Sequence, residues 1–251
     1  MKREIVPTGI DGLDAMLNGG LTKGSITTLS GPTGCGKSTL AMQFLINGAE
    51  KYNETGLYIV LEETKDRVYS NMAGYTWDIT KLERTKKMLF LDYPIHETNQ
   101  FLSKNSAIEE LITTLGVERV VIDSIMPIAL LFQNADERQK GFLTLIEYIR
   151  AWNATTIIVS EDTPATTQDI LPRTKFGIES LADTWLHMYY LYDSGQLRKR
   201  ALEVLKMKGV QHSTKLVPFE ITQDGINTLF VEKEKIKSSK KSAPGEPKNS
   251  T

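Results

Sequence analysis

The stretch "GPTGCGKSTL", residues 31–40, constrains this chain more than any other part of it. Gly31, four residues and then Gly36-Lys37-Ser38 fit the spacing of a phosphate loop without a gap. The apolar run "SITTLS" precedes it and the helical pattern "KSTLAMQFLINGAEK" follows, so the loop joins a strand to a helix. Glycines let several backbone N–H groups turn toward one anion, and the start of the helix adds its positive end. Lys37 supplies a mobile ammonium for the terminal phosphates of a nucleotide, and Ser38 supplies a hydroxyl for Mg²⁺.

Further runs extend the pattern. "GLYIVLE", "KMLFLDY", "RVVIDSI" and "TTIIVSE" read as strands buried on both faces, because they are apolar without alternation. "SAIEELITTLG" and "ERQKGFLTLIEYIRAW" read as helices between them. In the first of these, Ile108, Leu111, Ile112 and Leu115 share one face and Gly116 ends the helix. Strands alternating with helices predict an α/β domain with a mostly parallel central sheet and its ligand at the carboxyl ends of the strands. After residue 183, "TWLHMYYLYD", "RKRALEVLKMKG", "LVPFEIT" and "INTLFVE" are split by turn signals, which predicts antiparallel strands and hairpins extending the sheet. The expected organisation is one domain over residues 1–231 and a disordered, lysine-rich tail over residues 232–251.

Asp123 ends a buried strand, where a carboxylate is costly unless it meets a cation, and beside a phosphate loop that cation is Mg²⁺. Glu62 and Glu63 end the strand after the phosphate-loop helix. Adjacent strand residues point to opposite faces, so one of the two is expected to reach an attacking water and the other to tune it. The three tryptophans, Trp77, Trp152 and Trp185, read as packing residues. His96 and His187 lack metal-ligand spacing with each other or with Cys35, which disfavours a zinc site.

A net charge of -1 argues against whole-chain attraction to nucleic acid or anionic membrane. Cys35 is the one cysteine, so no intrachain disulfide forms. No window approaches the roughly 18 continuous apolar residues of a membrane span. Nor does a signal peptide open the sequence, so the chain reads as cytoplasmic with no membrane partner.

The segment "PTGIDGLDAMLNGGLTKGSITTLSGPTGCGKSTLAMQFL" resembles the opening of RecA-fold P-loop ATPases of the KaiC and RadA group. "LEET", "GYTWDI" and "RALEVLKMKGVQHSTKLVPFEITQDGI" narrow the resemblance to KaiC, as a single domain over about residues 4 to 230. The resemblance implies Mg-ATP bound between subunits of a homo-oligomeric ring, a hexamer in that family. It assigns phosphate binding to Thr33, Gly34, Cys35, Gly36, Lys37, Ser38 and Thr39, and catalysis to Glu62 and Glu63. Lys206 and Lys208 as catalytic cations, with Met207 and His212 as nucleotide contacts, would come from the neighbouring subunit. Lys208 stands where the family usually carries arginine and so lacks the planar fork. Gln223 stands where the family often has an adenine-side aspartate. Glu179 and Ser180 replace adjacent serine and threonine, which fits an ATPase domain better than an autokinase.

The leading expectation is therefore a ring-forming, slowly hydrolysing ATPase that signals to a protein partner. A DNA-acting RadA relative is the first alternative, because "TPATTQDILPRTK" with Arg173 and Lys175 could face a ring pore. A nucleotide-sensing scaffold without hydrolysis is the second, and Glu62, Glu63 and Asp123 count against it.

Overall fold

The computed structural model describes residues 3–93, 98, 101, 105–163, 171–192 and 197–230. The expected tail at 232–251, residues 164–170 of the candidate pore loop and the "DSGQ" turn at 193–196 lie outside the described residues.

Among the described residues a nine-stranded sheet forms the middle layer. In chain order its strands are β3 (Ile26–Gly31), β4 (Thr55–Val60), β5 (Met88–Asp92), β6 (Val117–Asp123), β7 (Thr155–Glu161), β8 (Thr184–Tyr192), β9 (Arg198–Met207), β10 (Val217–Thr222) and β11 (Gly225–Thr228). A separate two-stranded ribbon precedes it, pairing β1 (Ile5–Val6) with β2 (Leu21–Thr22). The spatial order is β11-β10-β9-β8-β3-β7-β6-β4-β5. Pairing is parallel from β5 through β8 and antiparallel from β8 to β11, as the change of texture after residue 183 predicts.

Both faces of the parallel part are covered, which explains the unbroken apolar runs. Successive residues of one strand enter opposite cores: Val121 and Val159 pack with helix Lys37–Tyr52, while Val120, Ile122 and Ile158 pack under helices Asn105–Leu115 and Ala135–Ala151. The strand period of two thus serves two hydrophobic layers at once.

Two sequence expectations change. Ile108 and Ile112 are buried and Leu111 is partly buried against them, but Leu115 is 43% exposed. It occupies the last helical position before Gly116, which turns the chain away with φ +60°. The strand carrying Glu62 and Glu63 ends at Val60, so both glutamates sit in the bend beyond it. There Leu61 N donates to Asp123 O at 3.0 Å, tying the bend to the end of β6. Among the described residues no helix is long and apolar enough to cross a membrane.

Candidate nucleotide site

β3 delivers the phosphate loop at the carboxyl edge of the sheet, beside β7 and β8. Gly31 has φ +150° and Gly36 has φ +112°, both in the range that L side chains avoid. A Cβ would also lie 2.6 Å from Met188 O at Gly31 and 2.8 Å from Ile221 Cδ1 at Gly36. Glycine is therefore required twice, once by backbone angle and once again by space. Lys37 opens the helix and folds back over the loop, its Nζ donating to Gly31 O at 2.7 Å and Pro32 O at 3.1 Å. Tyr190 from β8 donates its hydroxyl to Thr33 O at 3.3 Å, bracing the loop from the other side.

An open cleft of about 570 Å³ lies over this loop. Loop residues Thr33, Gly34 and Gly36 to Thr39 form its floor, and Glu62, Tyr75, Asp123, Glu161, Arg200 and Ile221 stand around it. A smaller cavity of about 100 Å³ adjoins it, lined in part by Ser38, Tyr58, Glu62, Glu63 and Asp123. That is room for roughly three waters. A Ser38 hydroxyl and one carboxylate beside such a space suit Mg²⁺, which keeps several waters and takes one or two carboxylates plus substrate phosphates. Among the described residues no cluster of three His, Cys, Asp or Glu forms a protein-only metal cage.

The two glutamates part company. Glu62 is half-buried, lines both spaces, and its Oε1 accepts from Ser124 Oγ. Burial pushes its carboxyl above the usual range, partly opposed by Ser124. Glu63 is exposed, reaches only the smaller cavity, and its Oε2 accepts from Asn71 Nδ2 at 2.9 Å. Burial likewise raises the Asp123 carboxyl, while hydrogen bonds from Tyr58 and Ser38 and the charge of Lys37 pull it back. Cys35 is buried and burial pushes its thiol up, the opposite of what a reactive thiolate needs.

The far-strand residues lie elsewhere in the chain. Met207 pairs with Thr184, which pairs with Thr27, so Lys206, Met207, Lys208 and His212 sit at the end of the sheet away from the loop. Lys206 Nζ donates to Glu179 O at 3.0 Å and Ser180 O at 3.1 Å. Lys208 Nζ lies 3.4 Å from Asp183 Oδ1, His212 Nδ1 lies 3.1 Å from Val210 O, and Met207 is buried in the core around the phosphate-loop helix. One chain therefore does not bring these four to its own cleft. Asp224 beside Gln223 accepts from Thr76 Oγ1 at 2.9 Å, and Ser180 Oγ donates to Gly177 O at 2.8 Å.

Tyr58 carries no sequence signal beyond its apolar run, and Arg200 stands in sequence as one cation of the "RKRALEVLKMKG" cluster. Arg200 shares the face of Leu202 and Val204, both packed in the core around the phosphate-loop helix, so strand alternation points it to the cleft. Among the described residues its buried Nε has no hydrogen-bond partner. The tryptophans do pack: Trp152 lies in the core under Ala135–Ala151, Trp185 is buried, and Trp77 stacks on Tyr75 with centroids 4.2 Å apart. The Tyr75 hydroxyl in turn lies 3.1 Å from Thr39 Oγ1 at the cleft.

A family model described as "ATPase: KaiC" matches residues 6–233. A UPF0273 protein of Methanocaldococcus jannaschii is 31% identical over 243 residues, covering 90% of this chain and 96% of that protein. The circadian clock oscillator protein KaiC of Parathermosynechococcus lividus is 31% identical over 227 residues, covering 88% of this chain but 41% of that protein. The chain thus spans under half the length of the clock proteins it matches. The crystal structure of a KaiC-like protein from Pyrococcus horikoshii superposes with a TM-score of 0.79 at 31% identity, covering 90% of this chain and 99% of that one.

Proposed function

Because the chain belongs to the KaiC family of ATPases, with the RecA-like fold that goes with it, we propose that it binds and slowly hydrolyses ATP in the cleft over residues 31–39. The observation that carries this reading is the meeting of Lys37, Ser38, Asp123 and Glu62 around one open space at the strand ends. Backbone N–H groups of the loop and the positive helix end hold the β- and γ-phosphates. Lys37 exchanges its two carbonyl partners for phosphate oxygens. Ser38 and Asp123 would hold Mg²⁺, which would supply charge neutralisation to the phosphates when bound. Glu62 orients the attacking water and takes its proton. Burial raises its carboxyl and so strengthens it as a base, and Ser124 fixes the carboxylate's direction. Tyr75 and Ile221 offer apolar surface at the end of the cleft to a nucleobase.

In this reading the subunits form a ring. Lys206 and Lys208, remote from their own cleft, extend into the neighbour's, where a cation offsets charge developing on the γ-phosphate. Hydrolysis then alters ring geometry and is sensed by a protein partner in the cytoplasm. The DNA-directed alternative gains nothing from Lys175, whose ammonium lies 3.8 Å from Glu161.

Titration with a fluorescent ATP analogue, followed by steady-state turnover, tests the assignment. Lys37→Ala should abolish tight binding. Glu62→Gln should keep binding and lose turnover by about 10²- to 10⁴-fold, with Glu63→Gln losing less. Wild-type turnover in Glu62→Gln would remove Glu62 from the mechanism.

A further inference from the structure

Tyr58 lies in the middle of an apolar run yet carries a polar group into the site. It sits on β4, opposite Val121 of β6 and Phe90 of β5, and is 1% exposed. Its ring packs in the core around the phosphate-loop helix and against Phe90, with centroids 5.8 Å apart, so its position is fixed by its surroundings. A buried phenol is costly unless its hydroxyl finds a partner. Here it donates to Asp123 Oδ2 at 2.5 Å. Tyr58 also lines the cavity of about 100 Å³ that Ser38, Glu62, Glu63 and Asp123 share.

We propose that Tyr58 is a positioning residue for the metal-holding pair: its hydroxyl locks the Asp123 carboxylate in the orientation that presents the other oxygen to hydrated Mg²⁺ beside Ser38. This inference rests on the Mg-ATP reading above. An aspartate at a strand end can otherwise turn its side chain, and each turn moves the oxygen that faces the metal. A donor on a rigid ring removes that freedom before the ligand arrives, so less ordering remains to be done on binding. The bond is to an ionised acceptor, the stronger class of hydrogen bond. Tyr58 acts through Asp123 and touches neither phosphate nor attacking water.

Tyr58→Phe keeps the ring and removes only the oxygen. Affinity for a fluorescent ATP analogue in EDTA should be unchanged. The gain in affinity on adding Mg²⁺ should shrink by roughly ten-fold, the loss expected for one charge-assisted bond. Mn²⁺ binding to the ADP complex, read by electron paramagnetic resonance, should weaken by the same factor. A purely structural tyrosine would lower thermal stability and leave both metal readouts alone, which would overturn the proposal. Wild-type protein that fails to bind ATP, or binds it with no metal dependence, overturns the nucleotide reading and this inference together. A metal-dependent wild type matched by Tyr58→Phe overturns this inference only. In the unaltered protein the Tyr58 hydroxyl proton, shielded from exchange, should shift in the NMR spectrum when Mg²⁺ joins the ADP complex. A resonance indifferent to the metal overturns the proposal even if the variant does not fold.

Discussion

His187 stands inside the sheet next to the strand that feeds the phosphate loop, and burial favours its neutral ring. The residue is 2% exposed. Trp185 Nε1 donates to Ser30 Oγ at 2.7 Å, and Ser30 Oγ lies 2.7 Å from His187 Nδ1. The serine hydroxyl accepts from the indole and can give its proton to Nδ1, an arrangement in which the ring hydrogen sits on Nε2, 3.7 Å from Asp162 Oδ2. Tyr189 covers the ring edge-on at 4.3 Å. Burial, and then the charge of Lys37, push the imidazole pKa down to about 4. In the unfolded chain it lies near 6.5. The unfolded state therefore takes up the proton first. The contribution is fully present above about pH 6.5 and is lost as the pH falls toward 4. Linkage between those two values gives a loss of about 2 kcal/mol from pH 8 to pH 5, approaching about 3 kcal/mol in stronger acid. Asp14, Glu62, Asp123 and Asp162, whose carboxyls burial raises, take up protons in the folded state first and oppose the trend. The effect is therefore read as a difference against His187→Asn, whose amide does not titrate. Urea unfolding at pH 8, 7, 6 and 5 should show the wild type losing its margin over the variant by about 2 kcal/mol across the series. Parallel curves would refute the reasoning, as would an NMR titration of the imidazole with a midpoint near 6.5.

Gly48→Ala should destabilise the fold by about 2 kcal/mol or more in urea unfolding, although alanine is the better helix former. A Cβ there would lie 2.5 Å from Arg119 Cδ and Nε, displacing a fully buried guanidinium from Glu54 and from Phe44 O; a neutral result would contradict that packing. The proposed sharing of the site between subunits predicts rescue in mixtures. Inactive Lys206→Ala and inactive Glu62→Gln subunits, combined, should regain part of the ATPase rate, and a mixture as inactive as its parts would exclude a lysine supplied in trans.

What the sequence made legible follows from how each residue is held. The central strands could be read because burial on both faces demands uninterrupted apolar residues, as Val120, Val121 and Ile122 show. The phosphate loop could be read because its spacing is a covalent fact. The ribbon of Ile5–Val6 with Leu21–Thr22 could not, since two residues carry no period and long-range pairing alone makes them strands. Sequence could not say which of Glu62 and Glu63 faces the cleft; burial, and the partners Ser124 just beyond β6 and Asn71 of helix Lys65–Met72, separate them.

Tyr58 and His187 escaped for a common reason. Each lies in a run that reads as packing, and each finds its partner on another strand: Asp123 for Tyr58 and Ser30 for His187, 65 and 157 residues away in sequence. Both partners stand at or next to the carboxyl end of a parallel strand, where the sheet gives way to the cleft. A polar aromatic side chain inside a two-sided buried strand must be satisfied there or not at all, because neighbouring apolar side chains offer it nothing. Its presence two or three residues before the strand's carboxyl end therefore points across the sheet to the polar group it serves. Tyr58, two residues before the end of β4, meets that condition.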